Sequence, residues 1–125
     1  MRGMSLLKMA LGVGVLALCA CSPSHGSWLA EIQGRADARK DLKAGKLRVE
    51  TMGGPPAPWE GTYERLMKER YGIEFQWVAD CVVSDRVISH AKGYNGIMGA
   101  EIARRFGDDA LKKTAEEARQ KTPMP

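Results

Sequence analysis

Tyr71-Gly72-Ile73-Glu74-Phe75-Gln76-Trp77-Val78-Ala79-Asp80-Cys81-Val82-Val83 is the stretch on which the fold turns, because a helical period runs into Gly72 and an extended one leaves it. Ile73, Phe75, Trp77, Ala79, Cys81 and Val83 share one face of an extended chain, against Glu74, Gln76, Val78, Asp80 and Val82. That alternation is the signature of a half-buried strand. Gly72 stands where a helix stops in the left-handed conformation, and Ile73 where a Schellman cap places its apolar contact. Upstream, Tyr63, Leu66, Met67 and Tyr71 fall at i, i+3, i+4 and i+8, which predicts an amphipathic helix over 60–71. Before it, Leu47, Val49 and Thr51 alternate with Arg48, Glu50 and Met52 as a shorter strand. A strand, a helix and a strand with short connections make a parallel pair joined by a right-handed crossover.

Around this unit the chain adds helices. Ser84 and Asp85 cap and charge the start of a helix over 84–106, in which Val87, Ile88, Ala91, Tyr94, Asn95, Met98, Ile102 and Phe106 gather into an arc of about 120°. Ser89, Gly93, Gly96, Ala100 and Ala103 form a small-residue stripe on the opposite face, where another backbone can approach. A turn at Tyr94-Asn95-Gly96 is the competing reading, but the apolar arc keeps its phase across it. Gly107 ends this helix, Asp108 opens a last one to Lys121, and 122–125 is expected to be a disordered tail. Ser27 opens a further helix from Trp28 to about Ala44, whose apolar face thins after Ala36. It is either part of the core or a membrane-proximal arm. The expected fold is therefore α+β, a small single domain over 28–121 with a short two-stranded parallel βαβ sheet covered by amphipathic helices.

The beginning of the chain has another character. Arg2 and Lys8 are positive, no acidic residue precedes Glu31, and Met9 to Ala20 is an apolar run of 12 residues, about 18 Å long as a helix and too short to cross a hydrocarbon core of about 30 Å. The run closes on Leu18-Cys19-Ala20-Cys21, which resembles the lipobox of bacterial lipoproteins. The resemblance implies a signal helix over 1–20 cut between Ala20 and Cys21, with a diacylglyceryl thioether on Cys21 and a lipidated tether over 21–27. It also implies an outer-membrane location facing the periplasm, since Ser22 stands where an Asp would hold such a protein at the inner membrane. Cys19 is the rival lipid site, but bulky Leu18 would then precede the cut. Two or more acyl chains anchor stably where one does not.

Arg2 and Lys8 leave with the leader, so the 19 basic residues of the chain become 17 against 15 acidic ones, and a net charge of about +2 gives no reason to expect nucleic acid. Of the three cysteines, Cys81 is left without an intrachain partner. It is the natural candidate nucleophile, with His90 nine positions on as a candidate base. The competing readings are burial as a small apolar residue, favoured by the strand phase, and pairing with another chain. Asn95 sits inside the apolar arc, where an unpaired amide would cost about 1–3 kcal/mol. It either bonds a strand end or the Gly53-Gly54 loop, or it forms the polar point of a ligand cleft with Tyr94 and Trp59. Gly93 and Gly96 are candidate contacts for a partner. Pro55, Pro56 and Pro58 remove the amide hydrogens a phosphate cradle needs. His90 with Glu101 is a poor metal set, and neither metal nor cofactor is expected.

Tyr71-Gly72-Ile73, Cys81-Val82-Val83-Ser84, Gly93-Tyr94-Asn95 and Arg105-Phe106-Gly107 together resemble a pattern in small uncharacterised exported bacterial proteins. That likeness implies a shared fold and no activity. The functional expectation is a lipid-anchored envelope protein whose domain is a non-catalytic binding or structural module, with membrane lipid and a protein of the envelope as partners. The alternative is a thiol-dependent envelope enzyme or redox protein using Cys81.

Overall fold

The computed structural model describes residues 25–122; the leader, Cys21 and the last residues of the expected tail lie outside them. The elements run α1 (His25–Lys43), β1 (Leu47–Met52), α2 (Glu60–Tyr71), β2 (Ile73–Ala79), α3 (Asp85–Phe106) and α4 (Ala110–Lys121). The domain is a small α+β unit in which four helices surround a two-stranded parallel sheet.

Local chemistry sets most of the boundaries. Gly72 takes φ 66° and its N–H bonds the Lys68 carbonyl at 3.0 Å, so α2 turns directly into β2. The hydroxyl of Ser84 accepts from the Val87 N–H at 3.4 Å and starts α3. That helix is continuous through Tyr94-Asn95-Gly96. Asp108 does not open α4, which begins at Ala110 after Gly107 takes a positive φ. At the other end, α1 begins at His25, ahead of Ser27, and Thr122 is tied to Thr62, hydroxyl to hydroxyl, at 3.0 Å.

β1 and β2 pair in parallel from Leu47↔Ile73 to Thr51↔Trp77, after which Met52 faces Ala79. Val78 is thus an extra residue in β2, a bulge that ends the regular alternation. Leu47, Ile73, Met67, Ala38, Tyr94, Met98 and Ile102 form the buried core, with Val49, Tyr63, Tyr71 and Phe75 packed against it. α2 and α4 close the far side, where the guanidinium of Arg70 donates twice to Glu117, at 2.5 and 2.8 Å.

α1 belongs to the core, and its seam with α3 is the most extensive in the molecule. Two glycines make it possible. A Cβ at Gly34 would overlap the carbonyl oxygen of His90, and a Cβ at Gly93 the carbonyl oxygen of Glu31. The small-residue stripe of α3 is therefore taken at Gly93 by the chain's own first helix, which corrects the assignment of Gly93 to an outside partner. Gly96 is exposed and meets nothing within 4 Å.

Replacing Gly93 by Ala must separate α1 from α3, and we expect a loss of about 1–3 kcal/mol in chemical denaturation. Gly96→Ala, in open space, should instead add up to about 1 kcal/mol of helix propensity. Equal losses at both positions would show that the seam is not made where these contacts place it.

Candidate functional site

Alternation along the paired strands gives the sheet two unlike faces. Leu47, Val49, Thr51, Ile73, Phe75 and Trp77 point to one side, and Arg48, Glu50, Glu74 and Gln76 to the other.

On the polar face, α1 and α3 bring their side chains to β1. His90 lies between two carboxylates, with Nδ1 3.0 Å from Glu50 Oε2 and Nε2 3.1 Å from Asp37 Oδ2. One ring therefore ties α1, β1 and α3 together. Its other flank stacks on Tyr94 at 6.2 Å between centroids. The Tyr94 hydroxyl donates to Asp41 Oδ2 at 2.7 Å, and Arg48 reaches Asp41 at 3.5 Å and Glu74 at 3.7 Å. Glu50 is buried here. With Lys40 and Gln76 these groups line a cleft of about 360 Å³.

Burial favours the neutral His90 ring, but the hydrogen bonds to Asp37 and Glu50 and the charges of both outweigh it, so its pKa is held above the ordinary 6.5. Asp37 is held below its ordinary 3.8, chiefly by His90 and then by Gln33. Burial, then the bond to Asp41, pushes the Tyr94 phenol well up. With Nδ1 and Nε2 both engaged by carboxylates, His90 is a clamp and not a base for Cys81.

Asn95 settles its amide on β1. Its Oδ1 accepts from the Glu50 N–H at 2.8 Å, and its Nδ2 donates to the Glu50 carbonyl at 2.8 Å. The bond is to mid-strand main chain, neither a strand end nor the Gly53-Gly54 loop.

The opposite face carries an aromatic cleft of about 340 Å³ between the β2 end, α2 and the proline loop. Trp59, Tyr63 and Phe75 step along it, with centroids 6.0 and 5.1 Å apart. Trp77 closes the row, 43 % exposed, its indole N–H donating to Asp80 at 3.0 Å. Arg119 of α4 lies 4.3 Å over the Trp59 ring. Thr51, Glu60 and Glu64 supply the polar rim.

Trp59 and Tyr94 line different clefts on opposite faces, so the cleft that is one of the two readings of Asn95 does not form. Cys81 is exposed, which corrects its reading as a core filler. β1 ends at Met52 and the bulge at Val78 breaks the phase, so Asp80, Cys81 and Val82 are left exposed, Val82 at 93 %. Cys81 lines a shallow cavity of about 430 Å³ with Gly53, Pro55, Trp77 and Asp80, while both ring nitrogens of His90 are taken up by carboxylates. Cys81 and His90 are not brought together as nucleophile and base. Among the described residues no group of three or more His, Cys, Asp and Glu side chains is arranged to hold a metal ion. Asp37, Asp41 and Glu50 escaped the sequence reading, for the His90 and Tyr94 side chains they bond lie 40 to 53 positions away.

No protein-family model matches the chain, and neither the curated proteins nor the solved structures contain a match to it.

The clamp has a pH dependence of known sign. Because the His90 pKa is raised, its contribution is complete below the ordinary 6.5 and is lost as pH rises through the raised value. Asp37, lowered, contributes above its ordinary 3.8 and loses its share as pH falls through the lowered value. Thermal melts should therefore show Tm falling as pH rises from 6.5 through the raised value. His90→Gln should flatten that fall and cost about 1–3 kcal/mol at pH 6, since buried Glu50 loses its cation. An unchanged slope in the variant would remove the clamp.

Proposed function

We propose that the chain is a lipid-anchored protein of the bacterial envelope, held at the outer membrane and facing the periplasm through an acylated Cys21, and that its domain is a non-catalytic binding module. Support for the anchor is the charge pattern, the short apolar run and the Leu18-Cys19-Ala20-Cys21 motif. No helix among the described residues is long and apolar enough to cross a membrane.

The binding surface in this reading is the aromatic cleft, and the observation that carries it is the row Trp59, Tyr63, Phe75 and Trp77 opening beside a half-exposed indole. Large exposed aromatic surface is costly to leave in water and serves recognition where a few polar groups orient the guest. Glu60 and Glu64 at the rim favour a guest that is apolar with a cationic end, such as a protein segment pairing an aromatic or aliphatic side chain with Lys or Arg. The second reading, thiol chemistry, rests on the exposure of Cys81 beside the same loop.

Three experiments test these readings. A photoreactive residue at position 64 should give a discrete crosslinked product in intact cells, reduced at least fivefold by Trp59→Ala or Trp77→Ala; adducts indifferent to both changes would sink the cleft. Mass spectrometry of the natural protein should find an amino-terminal acylated Cys21, and an unmodified polypeptide beginning at Met1 would remove the anchor. Cys81→Ser should leave the crosslink and complementation of a deletion intact, whereas loss of complementation with a folded protein would favour the thiol reading.

A further inference from the structure

The first helix carries a second apolar surface that the core does not use. Trp28 is 58 %, Leu29 57 % and Ile32 46 % exposed, and Ile88 of α3 is exposed as well. Leu29, Ile32, Gln33 and Arg86 line a shallow hollow of about 310 Å³. At about 100° per residue, Trp28, Leu29, Ile32, Gln33, Ala36, Arg39, Lys40 and Lys43 fall within an arc of about 140°. All of them are exposed.

Charge is sorted around this helix. The outward arc holds Arg39, Lys40 and Lys43 and no acid. The acids of α1 turn toward its neighbours: Glu31 pairs with Arg35 and Lys92, Asp37 with His90, and Asp41 with Arg48 and the Tyr94 hydroxyl. An arc that is apolar at one end and purely basic at the other is complementary to an anionic lipid surface, where Trp sits among headgroups and Lys and Arg meet phosphates. The chain that precedes the helix points to the same occupant. Cys21 is four residues from His25, so at about 3.5 Å per residue an acyl group there keeps the start of α1 within about 14 Å of the bilayer.

We infer that the outward face of α1 lies on the bilayer surface, with Trp28, Leu29 and Ile32 seated at the acyl boundary and Arg39, Lys40 and Lys43 on anionic headgroups. This inference rests on the anchor at Cys21 for its proximity. It assigns the domain a fixed orientation, in place of free motion on a tether.

The test uses the full chain as purified from its membrane, placed in phosphatidylcholine vesicles with or without phosphatidylglycerol and with brominated acyl chains. Tryptophan emission should be quenched, and Trp28→Phe, with Trp59 and Trp77 retained, should remove at least half of that quenching. Reversing Arg39, Lys40 and Lys43 to Glu should weaken quenching at least twofold in the anionic vesicles and little in the neutral ones. Since these side chains are exposed, circular dichroism of both variants should match the parent. Equal quenching with and without Trp28 overturns the inference, and crosslinks joining Leu29→Cys residues of two copies would give the face to a second copy instead. The mass of the Cys21 peptide is read from the same sample. Acylated protein without Trp28 quenching sinks the inference alone, while Trp28 quenching without acylation sinks the anchor alone.

Discussion

The fold depends on backbone meeting backbone where α1 crosses α3. Gly34 lies against the carbonyl of His90 and Gly93 against that of Glu31, each in a space where a methyl group would overlap oxygen. Such proximity is what lets short side chains act across the seam. One turn further along α1, Asp37 reaches His90, and a turn beyond that Asp41 reaches the Tyr94 hydroxyl. Without the glycines those pairs would be separated by the width of a side chain, and Glu50, buried on β1, would lose the His90 hydrogen bond that makes its burial tolerable.

Where structure follows from local chemistry, it was legible in the sequence. The parallel pair, the helix between its strands, the Gly72 stop, the Ser84 start and the unbroken α3 all depend on periodicity and on residues within a few positions of one another. The structure departs from the sequence reading where a distant segment decides. Cys81 looks buried because the alternation beginning at Ile73 continues through Val83, but a strand is covered only as far as its partner goes. β1 stops at Met52, and Val78 has already shifted the phase. The core role of α1 was hidden for a different reason. Its buried face is Ala30, Gly34 and Ala38, residues too small to leave a hydrophobic period, and close approach requires that smallness. Asn95 was half legible: an amide in an apolar arc must find partners, but which main-chain groups they are is a matter of tertiary placement.

The division of the sheet into unlike faces organises what the molecule offers to its surroundings. The polar face is internally satisfied, since His90, Asp37, Glu50, Asp41, Arg48 and Tyr94 bond one another. The aromatic face is less self-contained: Arg119 covers Trp59, and Asp80 takes the indole N–H of Trp77, yet the cleft between them stays open. The unsatisfied surface is on the aromatic side and not on the better-connected charged one, and this contrast is what supports the docking place proposed there.

A sheet of two strands has two free rims, and a free rim invites a foreign strand to add itself, the first step toward domain exchange or fibrils. Asn95 answers that hazard at β1. By giving an oxygen to the Glu50 N–H and an N–H to the Glu50 carbonyl, it imitates one residue of an adjoining strand and occupies the pair of groups an intruder would need. The amide is thus a stopper built from a single side chain, set against growth of the sheet at its β1 rim.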